Sequence, residues 1–180
     1  MNALVKAENA VAARPGEREP EQYLTFMLGG EVFAIGILHI KEIIEYGQLT
    51  TVPMMPAFIR GVINLRGAVV PVVDLSSRFG GKPGVVTRRS CIIILELEAD
   101  EETQVIGMVV DAVNEVLEID AADIEPPPSF GAKIRTDFIL GMGKVQERFV
   151  IILNVNNVLS SEDLASLSRS TTTELLESAA

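Results

Sequence analysis

Apolar residues along this chain come in short runs, not in a helical stripe. Residues 23–28 (YLTFML) and 32–35 (VFAI) flank Gly29-Gly30-Glu31, and this spacing predicts a hairpin with a Gly-rich turn. Residues 61–65 and 69–75 flank Arg66-Gly67-Ala68, a second hairpin. Residues 91–97 and 105–110 flank an acidic turn, a third. Residues 149–155 are one more run rich in β-branched side chains. Residues 37–44 are ambiguous, because apolar positions 37, 40, 43 and 44 fit a helical turn as well as a strand.

The flanks differ from this body. Residues 1–20 mix small residues with Arg14, Pro15, Gly16, Glu17, Arg18, Glu19 and Pro20, and the expectation is a flexible tail. Ser160-Ser161-Glu162-Asp163 places hydroxyl caps and acids before Leu164 and Leu167, which predicts a short C-terminal helix within 160–180.

The body repeats itself. FIRGVINLRGAVVPVVDL (58–75) aligns without a gap to FILGMGKVQERFVIILNV (138–155), an offset of 80. Phe58, Ile59 and Gly61 match Phe138, Ile139 and Gly141. Ile35-Gly36 recurs as Ile106-Gly107, and Glu42-Ile43-Ile44-Glu45 as Glu115-Val116-Leu117-Glu118. Matches in the same order in both halves indicate a duplicated small β unit. Each half is long enough for a five-stranded barrel but marginal alone, so the two are expected to share a hydrophobic core. The division read from this is 21–84 for the first barrel and 85–159 for the second, with exchange of strands between them left open.

Composition narrows the chemistry. Hydrophobic residues are 48% of the 180, aromatics 5% with no Trp, so the core must be built from Val, Ile and Leu. The formal charge of −10 argues against a protein built mainly to bind nucleic acid. One Cys rules out an internal disulfide, and one Cys with one His rules out a zinc site made of those ligands. No apolar stretch approaches a membrane helix and the N-terminus has no signal-type block, so a soluble cytoplasmic protein is expected. The charge is also segregated. From Arg60 to Arg89 there are six basic residues and one acid, Asp74; from Ser90 to Ala132 there are eleven acids and no Lys or Arg. Complementary fields of this kind favour oriented docking, although solvated loop faces would give the same pattern.

Catalytic candidates are few. His39 has no titratable partner nearby in sequence and, by alternation, faces solvent opposite Ile40. Cys91 opens an apolar run and reads as a small buried hydrophobe. Gly141-Met142-Gly143-Lys144 lacks the first Gly and the Ser or Thr of a phosphate loop. No catalytic residue, metal or cofactor is expected. Asn64 and Arg66 share one face of a hairpin strand and can hydrogen-bond a closely approaching helix. They can equally hold the turn and pair internally with Asp74 or Glu42. Phe130, after Pro126-Pro127-Pro128, reads either as an interface anchor on a stiffened loop or as a barrel-end plug.

The stretch from Pro56 to Gly67 with Asn64-Leu65-Arg66-Gly67, followed by Val70-Pro71-Val72-Val73-Asp74-Leu75, resembles the signature of the CheW family of chemotaxis coupling proteins. The resemblance runs from about Gln22 to Leu167. It implies an all-β fold of two five-stranded SH3-like barrels packed on a shared hydrophobic core. It implies a non-catalytic adaptor that couples transmembrane chemoreceptors to the histidine kinase CheA, without nucleic acid or membrane insertion. By the same resemblance Ile40, Glu42 and Arg66 contact the receptor's cytoplasmic tip, with Gly61, Asn64 and Val116 near that groove. Phe130 and Glu125 fall in the region used against the kinase's regulatory domain or another copy of the adaptor. Glu125 stands where some relatives carry a basic residue.

Overall fold

The computed structural model describes residues 20–99, 101–127 and 136–159. The N-terminal tail, the expected helix within 160–180 and Phe130 lie outside them. Eleven strands make up most of the described chain. β1 (Glu21–Leu28) and β2 (Glu31–Gly36) form the first predicted hairpin, β4 (Ile59–Leu65) and β5 (Ala68–Asp74) the second, and β6 (Cys91–Ala99) and β7 (Glu102–Val110) the third. β10 (Ile139–Val145) and β11 (Arg148–Leu153) add a fourth. Residues 37–44 combine both readings: a 3-10 turn at Ile37–His39 runs into strand β3 (Ile40–Glu45). His39 therefore sits on a turn and is half-buried, not on the solvent face of a strand. β8 (Ala112–Ile119) and the two-residue β9 (Ile124–Glu125) complete the set, with one-turn helices α1 (Leu75–Arg78) and α2 (Val155–Val158) after β5 and β11.

Two-residue turns close the hairpins. Arg66 (φ 52) and Gly67 (φ 86) both take left-handed conformations, as do Gln146 (φ 48) and Glu147 (φ 66). Two consecutive residues of positive φ match the right-handed twist of the strands they join.

The strands pair as β8-β1-β2-β11-β10-β9 in one sheet and β3-β6-β7-β5-β4 in the other. These are the two SH3-like barrels, one of them gaining a sixth strand from β9. The sheets do not follow a division at residue 84. The hairpin β1–β2 leaves the first half to pair with β8 and β11, and β6–β7 joins β3, β4 and β5. The crossing is made by short parallel pairings, Val72 with Gly107 and Ile152 with Ala34. They correct one detail of the repeat: since 72 and 152 are equivalent, Gly107 corresponds to Ala34, two residues from the match made on Ile-Gly alone.

Burial on both faces explains the unbroken apolar runs. On β6, Ile93, Leu95 and Leu97 enter a large core cluster fed by both sheets, while Ile92 and Ile94 fill the interior of their own barrel. β1 does the same, with Leu24, Phe26 and Leu28 in the shared core and Tyr23 in the other barrel's interior. Phe26, Phe33, Phe79 and Phe138 run as a chain of ring contacts through the shared core, with centroids 5.8–6.0 Å apart. Burying these groups is the main favourable contribution to folding, at about 25 cal/mol per Å² of apolar surface. Among the described residues no helix is long and apolar enough to cross a membrane.

Candidate interaction site on the first barrel

The signature hairpin β4–β5 is built to present one charge. The Asn64 side-chain oxygen accepts from the Gly67 backbone N–H at 2.9 Å, closing the turn from the strand side. With the turn held, Arg66 projects away from the barrel and its guanidinium forks onto Glu42 of β3. Arg66 Nη2 donates to Glu42 Oε2 at 3.0 Å, and Nη1 to Oε1 at 3.3 Å. Strands β3 and β4 are the two ends of the five-stranded sheet, so this contact spans its open edge. The Arg66 side chain is 73% exposed and Glu42 23%. A pair so exposed contributes little to stability, on the order of 0–1 kcal/mol, yet fixes a planar charged surface of defined orientation.

Of the two internal partners open to Arg66, the structure selects Glu42. Asp74 is taken by Arg60, whose Nε lies 3.2 Å from Asp74 Oδ2. The other expected positions fall on several elements of both sheets. Ile40 is half-buried and packs against the shared core. Gly61 is buried, and a Cβ there would stand 2.5 Å from the Thr50 carbonyl oxygen, so its smallness serves the approach of the segment bridging Thr50 to Val62. Val116 is half-exposed on β8, the edge strand of the other sheet. Glu125 lies exposed on β9 beside Met142, and Phe130 lies outside the described residues.

A groove of about 480 Å³ runs beside Arg66, lined by Lys41, Val69 and Gln104. Its repeat counterpart, about 660 Å³, is lined by Asn114, Gln146, Phe149 and Glu31. The duplicated fold thus yields two similar clefts, but the basic pair Lys41 and Arg66 is replaced in the second by Asn114 and Gln146. Val69 and Phe149, equivalent residues, are both about half exposed.

Cys91 is half-buried and packs against the shared core, and desolvation, followed by the nearby Glu45 carboxylate, pushes its thiol above the usual range. It is a packing residue with low thiolate character. Among the described residues no group of three or more His, Cys, Asp or Glu could hold a metal ion.

Sequence reasoning missed two arginines. Arg60 and its salt bridge to buried Asp74 were not singled out. Arg78, at the end of α1, lies 4.9 Å from the Phe58 ring centroid and 5.0 Å from that of Phe138, and its Nε donates to the Val158 carbonyl at 2.7 Å. Phe58 and Phe138 are repeat equivalents, so one cation is held between matching rings of the two halves. The offset of 80 was the available signal, because it also relates Arg78 to Val158.

Comparison with known proteins agrees with this architecture. The family model described as CheW-like domain matches residues 22–163. The chain is 36% identical over 155 residues to the chemotaxis protein CheW of Klebsiella aerogenes, covering 86% of this chain and 91% of that protein. It is 33% identical over 142 residues to the chemotaxis protein CheW of Rhizobium meliloti, with 79% and 89% covered. The crystal structure of the scaffolding protein TtCheW from Thermoanaerobacter tengcongensis superposes with a TM-score of 0.71 at 35% identity, covering 81% of this chain and 92% of that one. With the signature hairpin, the paired barrels and these matches together, the chain belongs to the CheW-like family.

Proposed function

We propose that this protein is a non-catalytic chemotaxis adaptor, working in the cytoplasm, that couples the cytoplasmic tip of a transmembrane chemoreceptor to the histidine kinase CheA. The observation that carries the reading is the Glu42–Arg66 fork: Arg66 of the signature stretch and Glu42, 24 residues before it, meet as one bidentate pair on the exposed edge of the first barrel. Ile40, Glu42 and Arg66 form the receptor surface, with Asn64 shaping the turn that presents it, Gly61 seating the Thr50 segment behind it, and Val116 a further contact from β8 of the other sheet. Phe130 and Glu125 serve the kinase's regulatory domain or another copy of the adaptor. The named relatives support this, being chemotaxis proteins in Klebsiella aerogenes and Rhizobium meliloti and a scaffolding protein in Thermoanaerobacter tengcongensis.

The test is a binding titration with receptor tips from the same cell. Arg66→Ala leaves the barrels folded, because the exposed pair adds little stability, and weakens receptor binding by roughly 1–3 kcal/mol, the loss of a charge-assisted hydrogen bond. Arg66→Lys restores it only in part, since the ammonium lacks the planar fork. Kinase binding without receptor stays at the wild-type level. Unaltered receptor affinity in a folded Arg66→Ala protein would remove the assignment.

A further inference from the structure

Arg78 and Val158 hold equivalent places in the repeat, 80 residues apart, each closing a one-turn helix. Both helices are held at their first turn. Asp74 Oδ1 accepts from the Ser76 and Ser77 N–H groups at 3.0 and 3.4 Å, and Arg60 Nε holds the same carboxylate through Oδ2 at 3.2 Å. In the second half Asn154 Oδ1 accepts from Asn157 N at 3.3 Å, and Asn157 Nδ2 donates to the Asp137 carbonyl at 2.8 Å. The two capped turns meet through Arg78. Its Nε donates at 2.7 Å to the carbonyl of its own counterpart, Val158, a last-turn carbonyl that the helix itself leaves unsatisfied. Its guanidinium stands 4.9 Å from the Phe58 ring centroid and 5.0 Å from that of Phe138, nearly midway between equivalent rings.

The junction is matched in position but not in chemistry. One side offers a half-buried cation, the other a valine that is 1% exposed. Two arginines facing each other here would repel in poorly screening surroundings, whereas one arginine and one carbonyl make a bond with a direction. The shared core beneath is apolar, and the attraction of Leu24 and Phe26 for Ile93 and Leu95 sets no angle by itself. A charge-assisted hydrogen bond and a cation seated between two rings do set one. Asp111, at the crossover from β7 to β8, makes directed contacts too: its N–H donates to the Met27 carbonyl at 3.0 Å, and its Oδ2 accepts from Gly29 N at 2.8 Å. Those tie the crossover to β1–β2, in the sheet that β8 itself joins. Arg78 instead ties the turn after β5 of one sheet to the turn after β11 of the other.

The receptor surface proposed above draws on both sheets. Ile40 and Glu42 come from β3 and Arg66 from the β4–β5 hairpin, all in one sheet, while half-exposed Val116 comes from β8 in the other. One receptor helix can touch both parts only while the barrels keep one relative angle. A small rotation about the shared core would leave the Arg66–Glu42 fork intact and carry Val116 out of reach. Resting on that reading, we infer that Arg78 is a positioning residue for receptor binding: it fixes the angle between the barrels and so keeps Val116 in one surface with Ile40, Glu42 and Arg66.

The experiment compares the full wild-type chain with Arg78→Met and Arg78→Lys. Methionine loses both the charge and the N–H; lysine keeps a cation for the rings and loses the Nε bond to Val158. Residual dipolar couplings of the strand amides in the two sheets report their relative orientation. In Arg78→Met each sheet should fit its wild-type geometry separately, but the two should no longer share one orientation; Arg78→Lys should lie between. Titration with receptor tips from the same cell should show Arg78→Met binding several-fold more weakly. In that background Val116→Ala should cost little more, while Arg66→Ala keeps its full wild-type penalty. A residue that only stabilises the fold would lower the melting temperature and leave both penalties unchanged. Unaltered sheet orientation in Arg78→Met, or a Val116→Ala penalty that persists in full, would overturn the inference. If Arg78→Met does not fold, the same orientation and the same two penalties measured in Arg78→Lys decide it. Wild-type binding that responds to Arg66→Ala but not to Val116→Ala would overturn the inference alone. Wild-type binding that responds to neither would overturn the receptor reading, and the inference with it.

Discussion

Gly61 shows how much one hydrogen atom in place of a methyl can decide. The Thr50 backbone passes so close that a Cβ would stand 2.5 Å from its carbonyl oxygen, and that segment is held by Thr50 N to Val62 O at 2.9 Å and Val62 N to Thr50 O at 2.8 Å. Gly61→Ala must push the segment away and stretch both bonds, at a cost of roughly 1–3 kcal/mol, the usual range for overpacking. Chemical denaturation of the purified variant would show it as a lower midpoint with unchanged slope. An unchanged midpoint would mean that residues 46–58 yield freely. At this scale the sequence was only partly legible. Asn64 and Arg66 were visible as a polar pair on a turn, but a spacing of 24 residues gives no sign that Arg66 meets Glu42. Nor could composition say that Arg60, rather than Arg66, would claim Asp74.

Among the elements, hairpins were the most legible, because turn residues and the short apolar runs on either side of them are local signals. The tight turns of the two repeats offer a comparison. Arg66-Gly67 places Gly at φ 86, whereas Gln146-Glu147 places Glu at φ 66. A left-handed conformation costs a non-glycine residue about 1–2 kcal/mol, against about 0.5–1 kcal/mol of extra chain entropy for Gly. Glu147→Gly should therefore stabilise the fold by roughly 0.5–1 kcal/mol, raising the melting temperature by a few degrees; a lower one would mean that the Glu147 side chain makes a contact worth more than its strain. Residues 37–44 were illegible for a different reason. A 3-10 turn and a strand share them, and no single period describes both.

On the scale of the whole molecule, the duplication was legible and the exchange of hairpins was not. Strand pairing is chosen by the core that results. β1 and β6 each bury both faces, so their runs carry no alternation that names a partner. Because the shared core draws Leu24, Phe26, Ile93 and Leu95 from both sheets, neither barrel keeps that core covered if the other opens. Leu95→Ala, at a fully buried site in that core, should cost about 2–5 kcal/mol and lower one cooperative transition seen alike by far-UV circular dichroism and calorimetry. Two separated transitions would show barrels that fold independently.

The adaptor reading stands or falls on whether this chain joins two partners at once. The decisive measurement is co-sedimentation of the kinase's regulatory domain with membranes carrying the intact receptor, both from the same cell, in the presence and absence of the full chain. The account predicts that the regulatory domain pellets with receptor when wild-type chain is added, and that most of this is lost with Arg66→Ala while the variant still binds the regulatory domain in solution. Recruitment that is equal without the chain, or a chain that binds either partner only when the other is absent, would contradict it.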